Sequence, residues 1–265
     1  MSYINSNKSA WEEAFNKKKG NYAEDLVNTL NNMNDPYLEN PMIEFLNNED
    51  LTHKVIGQFC CNNGRELLSI SKRGVHHGIG FDIASNMIQY ANETAKKTNL
   101  PITFVETNIL EIDQTYYNRF DYLFITVGAL CWFKDLMSFF SIVEKVLKKN
   151  GKLVINEAHP VVNSLAATDE DSFIIGHEKE LVYDYFKTEP WETGSMGYMT
   201  ENQTLSSNFY SFSHSFGIII SSISQNNLII NSLTEYDYCI AGLVPHLDHQ
   251  GLPLSYFLVA TKSSS

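Results

Sequence analysis

The chain is short of positive charge: 31 aspartates and glutamates face only 19 lysines and arginines, which leaves a net charge of −12 with histidine neutral. Its lysines cluster only at Lys17–Lys19, Lys96–Lys97 and Lys148–Lys149. An acidic surface of this kind repels a phosphate backbone, so nucleic acid is not an expected partner. Long apolar runs are missing too, and none approaches the roughly 20 residues of a membrane span. The stretch MSYINSNKSAWEE has no basic segment leading into an apolar one. That removes a secretory signal and makes the cytoplasm the expected location. Cysteine is scarce: Cys60, Cys61, Cys131 and Cys239 have no metal-ligand spacing, and the adjacent pair cannot easily close an unstrained disulfide on itself. They read as reduced thiols that pack as small hydrophobes, and no metal is expected. There is no internal repeat, and the Asn-rich patches are too short for low complexity.

What is present fits a soluble globular chain. Of its 265 residues 43% are hydrophobic and 19% charged, enough for one large α/β domain, or one domain carrying an inserted cap. The first fifty residues read as a helical preface. Ser9 with Glu12 forms a capping-box pattern, and Trp11, Ala14 and Phe15 share the next helical face. A second helical run covers Tyr22–Leu30, and Asn40-Pro41 starts a third. Strand and helix then alternate: Val55–Phe59 into Arg65–Leu68, Gly74–Asp82 into Ala84–Thr98, Ile102–Glu106, the apolar run Phe120–Val127, a helix over Asp135–Lys149, and a fifth strand from Lys152. Such alternation predicts a parallel, doubly wound sheet. From His159 to about Ser213 it fails, and the composition shifts towards Tyr, Phe, Trp, Glu, Ser and Gly, as in an inserted cap. Within it Leu181–Lys187 and Thr200–Phe212 are the segments expected to pair. A helix over Phe216–Gln225 and strands over Leu228–Asp237 and Leu254–Lys262 close the chain with an antiparallel-looking pair.

In an open α/β sheet, ligands bind where the strand ends meet. Four consecutive strand ends here carry suggestive residues. The first is KVIGQFCCNNGRELLS, a strand–turn–helix whose Cys60–Gly64 turn is expected to expose backbone N–H groups beside a helix N-terminus. The second is Asp82 in GFDIASNM, which either accepts both hydroxyls of a ribose or caps the following helix. The third is Asn108, whose amide either reads an adenine edge or forms a turn. The fourth is Thr126-Val127-Gly128-Ala129, where small residues let a ligand approach the backbone.

These segments together resemble the class I S-adenosylmethionine-dependent methyltransferases, particularly small bacterial methyltransferase-domain proteins. The resemblance covers most of the chain: GFDIASNMIQYA looks like the ribose segment, TFVETNILEI like the adenine segment, and FDYLFITVGALCWFKDL with VEKVLKKNGKLVINEAHP like the fourth strand, helix and fifth strand. It implies a Rossmann-like α/β fold: a seven-stranded, mostly parallel sheet with an antiparallel last strand, helices on both faces, an N-terminal helical lid over residues 1–50, and a domain over 51–265 with a cap inserted at about 159–213. S-adenosyl-L-methionine is the implied cofactor. By resemblance Asp82 binds ribose, Ile83 and Met87 flank adenine, Asn108 and Ile109 contact the base, and Val127 and Gly128 face the methionine part. Cys60, Cys61, Asn62, Gly64 and Arg65 form the methionine-binding turn, with Trp11 and Tyr22 available to close over it. The turn departs from the family in having Gln58 where an acidic residue is usual, and Cys60 and Asn62 where glycines are usual.

Methyl transfer needs alignment, exclusion of water and, for some acceptors, a base. Glu157 and His159, at the end of the fifth strand, are the catalytic candidates; His159 can equally end the strand. His214 and His246 are weaker ones. Tyr183, Tyr185, Trp191, Tyr198 and Tyr210 form either a cation-attracting aromatic box or the cap's own core. The expected partner is a small-molecule acceptor, with a homodimer left open. Two rival readings share parts of this pattern. A nicotinamide-dependent oxidoreductase would need the G-x-G-x-x-G fingerprint that is missing here, and a non-catalytic binder of the same cofactor would account for the altered turn.

Overall fold

Three helices, α1 (Tyr3–Asn16), α2 (Leu26–Asn32) and α3 (Asn40–Asn47), precede the first strand in the computed structural model, which describes residues 2–19, 22, 24–201 and 203–264. The alternating part follows as β1 (Val55–Phe59), α4 (Arg65–Ser71), β2 (His77–Asp82), α5 (Ser85–Thr98), β3 (Ile102–Glu106), β4 (Phe120–Ile125), α6 (Leu136–Val146) and β5 (Leu147–Ala158). A small hairpin, β6 (Trp191–Thr193) and β7 (Phe209–Ser211), encloses the short helix α7 (Gly197–Thr200), after which α8 (Phe216–Ser224), β8 (Leu228–Tyr236) and β9 (Ser255–Lys262) return to the sheet. The seven-stranded sheet runs in the order β3-β2-β1-β4-β5-β9-β8. Strands β1 to β5 are parallel, and only β9 runs against its neighbours. The expected fold is therefore present, antiparallel last strand included.

Apolar runs such as Phe120–Ile125 make sense in this setting because the central strands are covered on both faces. On one face Phe59, Leu123 and Ile155 pack with Phe139 and Phe140 of α6 and Ile219 of α8. On the other, Ile56, Phe124 and Val154 pack with Met42 of α3, Leu67 of α4 and Ala91 of α5. A third cluster joins Trp11 and Phe15 of α1, Met87 of α5, and Met199 and Phe209 of the cap. Because β1 lies between β2 and β4, the connections leave it in opposite directions, and a crevice opens above the strand ends at that point.

Several local expectations are corrected. Helix α1 starts at Tyr3, with Ser2 Oγ accepting from Asn5 N at 3.4 Å, so Ser9 lies inside the helix and Glu12 instead accepts from the backbone and hydroxyl of Ser85. Helix α2 starts at Leu26 behind Asp25, whose carboxylate accepts from Asn28 N; position 23 of the expected Tyr22–Leu30 run lies outside the described residues. Helix α6 stops at Val146, because Leu147 is already extended and pairs with Phe120, and residues 148–151 form an irregularity before Lys152 pairs with Tyr122. Gly151 is required there: a Cβ would sit 2.8 Å from the carbonyl oxygens of Lys148 and Phe120. Leu181–Lys187 does not form a strand. The amides of Val182 and Tyr183 turn back onto the Ser164 carbonyl, and the cap's ladder is β6 with β7.

The turn after β1 depends on one glycine. Gly64 has φ +81°, and a Cβ there would run into the Phe104 ring. Gly64→Ala should therefore lower stability by about 2–4 kcal/mol, adding left-handed strain to a steric clash; a urea midpoint unchanged from wild type would contradict this.

Candidate functional site

A cavity of about 520 Å³ lies above the ends of β1 to β4, roofed by α1, the cap and the loop between β8 and β9. It is within the range of small-molecule sites, about 300–1,000 Å³. Its floor is built by Asp82. One carboxylate oxygen accepts from Asn62 N at 2.8 Å and the other from Ala84 N at 3.0 Å, so a single side chain ties the loop after β1 to the loop after β2. Ala84, the residue before α5, has no side-chain cap, so Asp82 does not act as a helix cap. Burial raises the Asp82 carboxyl above its ordinary value, against the two amide bonds that favour the charge.

The β1 loop does not present the free amides expected of it. Cys61 N bonds to the Phe81 carbonyl, Asn62 N to Asp82, Asn63 N to Asn62 Oδ1, and Gly64 N to the Cys61 carbonyl. Its left-handed residues explain the altered sequence. Cys60 (φ +52°) and Asn62 (φ +53°) adopt the conformation that glycine takes most readily; Asn tolerates it, whereas Cys carries strain. The positive group facing the cavity is the side chain of Arg65. Its guanidinium lies 4.4 Å from the Tyr22 ring centroid and bonds Glu66 at 3.0 Å through Nε. Burial opposes this charge, but Glu66 and Tyr22 hold its pKa above the usual arginine value.

The cavity gathers Trp11, Cys60, Asn62, Arg65, Asp82, Ile83, Asn108, Ile109, Val127 and Gly128 among the residues singled out from sequence. Asn108 Oδ1 accepts from Leu110 N at 3.2 Å, the turn-forming role, which leaves its amide nitrogen without a partner among the described residues. A Cβ added to Gly128 would meet nothing within 4 Å, so the backbone after β4 lies open to the cavity. Trp11 packs edge-on against Trp132 and Phe209, with ring centroids 5.3 and 5.0 Å away. Cys61, Gly64 and Met87 do not line the cavity. Cys61 and Met87 are buried among core side chains, Met87 behind Ala84 in the cluster that holds α1 to α5, and Gly64 packs against Phe104.

Neither catalytic candidate faces the cavity. Glu157 is buried and holds the loop after β4: one oxygen accepts from Gly128 N at 2.6 Å and from Ala158 N at 3.1 Å, the other from Leu130 N at 3.3 Å. Burial pushes its carboxyl up to about 7 despite these bonds. His159 Nδ1 accepts from Val161 N at 3.2 Å, its Nε2 lies 3.1 Å from Glu235, and its ring packs on Phe216, so it ends the strand and starts the next turn. Its pKa is lowered by burial, with Glu235 opposing. His214 Nε2 bonds the Phe133 carbonyl, and His246 packs edge-on to Phe173. Of the five cap aromatics only Tyr198 reaches the cavity; Tyr183 packs on Trp191, Tyr185 receives Phe216 N, and Tyr210 bonds Glu192. Contributors not singled out in sequence include Tyr3, Asn7, Trp132, Met196 and, in the loop between β8 and β9, Ile240, Ala241 and Leu243. Apolar residues in a loop, as in CIAGLV, were the one available signal for the last.

A methyltransferase-domain family matches residues 58–225. Among solved structures, a protein from Listeria monocytogenes assigned as an S-adenosylmethionine-dependent methyltransferase superposes with a TM-score of 0.64 at 18% identity, over 83% of this chain and 97% of that one. An S-adenosylmethionine-dependent methyltransferase from Mesorhizobium loti gives 0.61 at 15% identity, over 88% and 99%. The geranyl diphosphate C-methyltransferase from Streptomyces coelicolor A3(2), solved with Mg2+, geranyl diphosphate and S-adenosyl-L-homocysteine, gives 0.61 at 11% identity, over 99% and 98%. No curated protein sequence matches the chain.

Because burial pushes the Glu157 carboxyl up to about 7 in the fold, against an ordinary value of 4.5 in the unfolded chain, the folded protein binds the extra proton between these values. Stability is then lost as pH rises through that window, by about 3 kcal/mol from this group. Denaturation across pH 4 to 8 should show a shallower fall in Glu157→Gln than in wild type; parallel profiles would contradict it.

Proposed function

The chain belongs to the methyltransferase-domain family and is a methyltransferase with S-adenosylmethionine as methyl donor, and from that premise we propose that the donor lies across the strand-end cavity and that the acceptor is a small molecule. One observation carries this reading: Asp82, fixed by two backbone amides, sits at the end of β2 inside a cavity of about 520 Å³. Each of its oxygens keeps a lone pair, so the carboxylate can accept both ribose hydroxyls. Ile83 and Ile109 supply apolar flanks for adenine, and the amide nitrogen of Asn108 can donate to the base. Thr126, Val127 and Gly128 offer open backbone to the methionine chain, and Arg65 offers a cation to its carboxylate. Trp11 and Tyr22 close the site from the N-terminal side, so the lid consists of α1 and Tyr22, joined to the cap. The domain boundaries at residues 50 and 51 and the cap over about 159–213 belong to this reading.

The bound donor supplies a methyl group on a sulfonium, ready for in-line displacement. The chain's part is to align the acceptor and exclude water, since Glu157 and His159 face elsewhere and a general base is not built into the cavity from them. Glu157 works through the loop it holds, as a positioning residue for Gly128 and Leu130. No helix among the described residues is long and apolar enough to cross a membrane. The four free cysteines support a reducing, cytoplasmic setting.

Titration calorimetry with S-adenosylhomocysteine should give micromolar binding, and no heat at high micromolar ligand would sink the proposal. Asp82→Ala should weaken that binding by about 1–3 kcal/mol. An unchanged affinity in a variant that still melts cooperatively would leave Asp82 with a purely structural role.

A further inference from the structure

The charges of the cavity are all on one side. Arg65, Glu66 and Asp82 line its strand-end floor, where the cofactor reading puts the donor, whereas the roof formed by α1, the cap and the β8–β9 loop has no charged side chain among the described residues. Its surface is made by residues such as Tyr3, Ile4, Met196, Tyr198, Ile240 and Leu243. Two of its polar side chains are already committed, and the others there are the neutral hydroxyls of Tyr3, Tyr198 and Ser211. Asn7 uses both ends of its amide on Tyr210, at 2.9 and 2.7 Å, and the Thr193 hydroxyl bonds the Ser195 carbonyl at 3.3 Å.

We propose, resting on the cofactor reading above, that this roof receives an uncharged, largely apolar acceptor whose reacting atom needs no base from the protein, an apolar thiol being the simplest case. A charged acceptor would leave water without a partner on this wall, and an unpaired charge costs several kcal/mol to desolvate. Among the described residues a diphosphate would find only the Arg65 cation in the cavity, already shared with Glu66. No cluster of His, Cys, Asp or Glu among the described residues is arranged to bring a metal ion with it. The geranyl diphosphate enzyme therefore shares the fold without lending its substrate class. As for a base, burial pushes the thiols of Cys60 and Cys131 well above their ordinary value. A thiol acceptor has less need of a base, since it gives up its proton far more readily than an alcohol does and its sulfur is intrinsically nucleophilic. In the transfer, the acceptor's sulfur forms the new bond to the methyl carbon as the methyl–sulfonium bond breaks. The sulfonium departs as a neutral thioether, and the acceptor's proton passes to water.

The test uses the intact chain and two matched probes, phenylethanethiol and its ring-carboxylate analogue, with geranyl diphosphate as a third. Binding to protein saturated with S-adenosylhomocysteine is measured by calorimetry, and methylation with S-adenosylmethionine is followed by product mass. The neutral thiol should bind and be methylated at least tenfold better than its carboxylate analogue, and geranyl diphosphate should not bind. Leu243→Lys, at an exposed position on the roof, should shift the preference at least tenfold towards the carboxylate and leave S-adenosylhomocysteine affinity unchanged. Equal or better handling of either anionic probe by wild type, or no response to the neutral thiol in protein that binds S-adenosylhomocysteine, would overturn the inference and leave the cofactor reading standing. Failure to bind S-adenosylhomocysteine would overturn both.

Discussion

The site depends on one carboxylate used as a clamp. Asp82 accepts the amides of Asn62 and Ala84, and so fixes two loops that leave neighbouring strands on separate paths. A neutral side chain of the same length could accept one amide well and would turn its own N–H groups on the other. The glycines around it serve the same junction. The Phe104 ring fills the space where Gly64 and Gly80 have no Cβ, and this lets the β1 turn sit close over β2 and β3. Burial makes the Asp82 charge expensive, and the amide bonds offset part of that cost.

A second buried carboxylate does the equivalent work on the far side of the crevice. Glu157 gathers the amides of Gly128 and Leu130 and so shapes the backbone that the cavity exposes after β4. Above both lies a roof whose two parts are held together by side chain–backbone contacts: Asn7 to Tyr210, Ser6 Oγ to the Asn208 carbonyl at 2.7 Å, and Glu13 to Ser206 N at 2.8 Å. Helix α1 and the cap are thus joined into a single cover.

The sheet was legible because its strands are apolar runs bounded by turn residues, and the same pattern placed Asp82 at the end of β2. What was not legible depends on tertiary partners. Glu157 and His159 end a strand near the crevice, yet whether a side chain there faces the ligand or the neighbouring loop is set by packing, and here Phe216 and the β4 loop take them. Met87 follows Asp82 by five residues, but the helical turn directs it behind Ala84 into the α1 cluster. The cap has weak periodicity, and its backbone is satisfied by single contacts such as Ser164 with Val182, which no local pattern encodes. Ser9 shows the same limit, because a capping pattern has no force once Ser2 has started the helix upstream.

In the function proposed for this chain, the loops after β1 to β4, fixed by Asp82 and Glu157, form the donor site. Amide hydrogen exchange with and without S-adenosylhomocysteine tests it most directly. Protection should rise in the segments around residues 60–66, 82–84, 107–110 and 126–130, with a smaller gain in α1. Protection confined to other regions, or no change at saturating ligand, would contradict it.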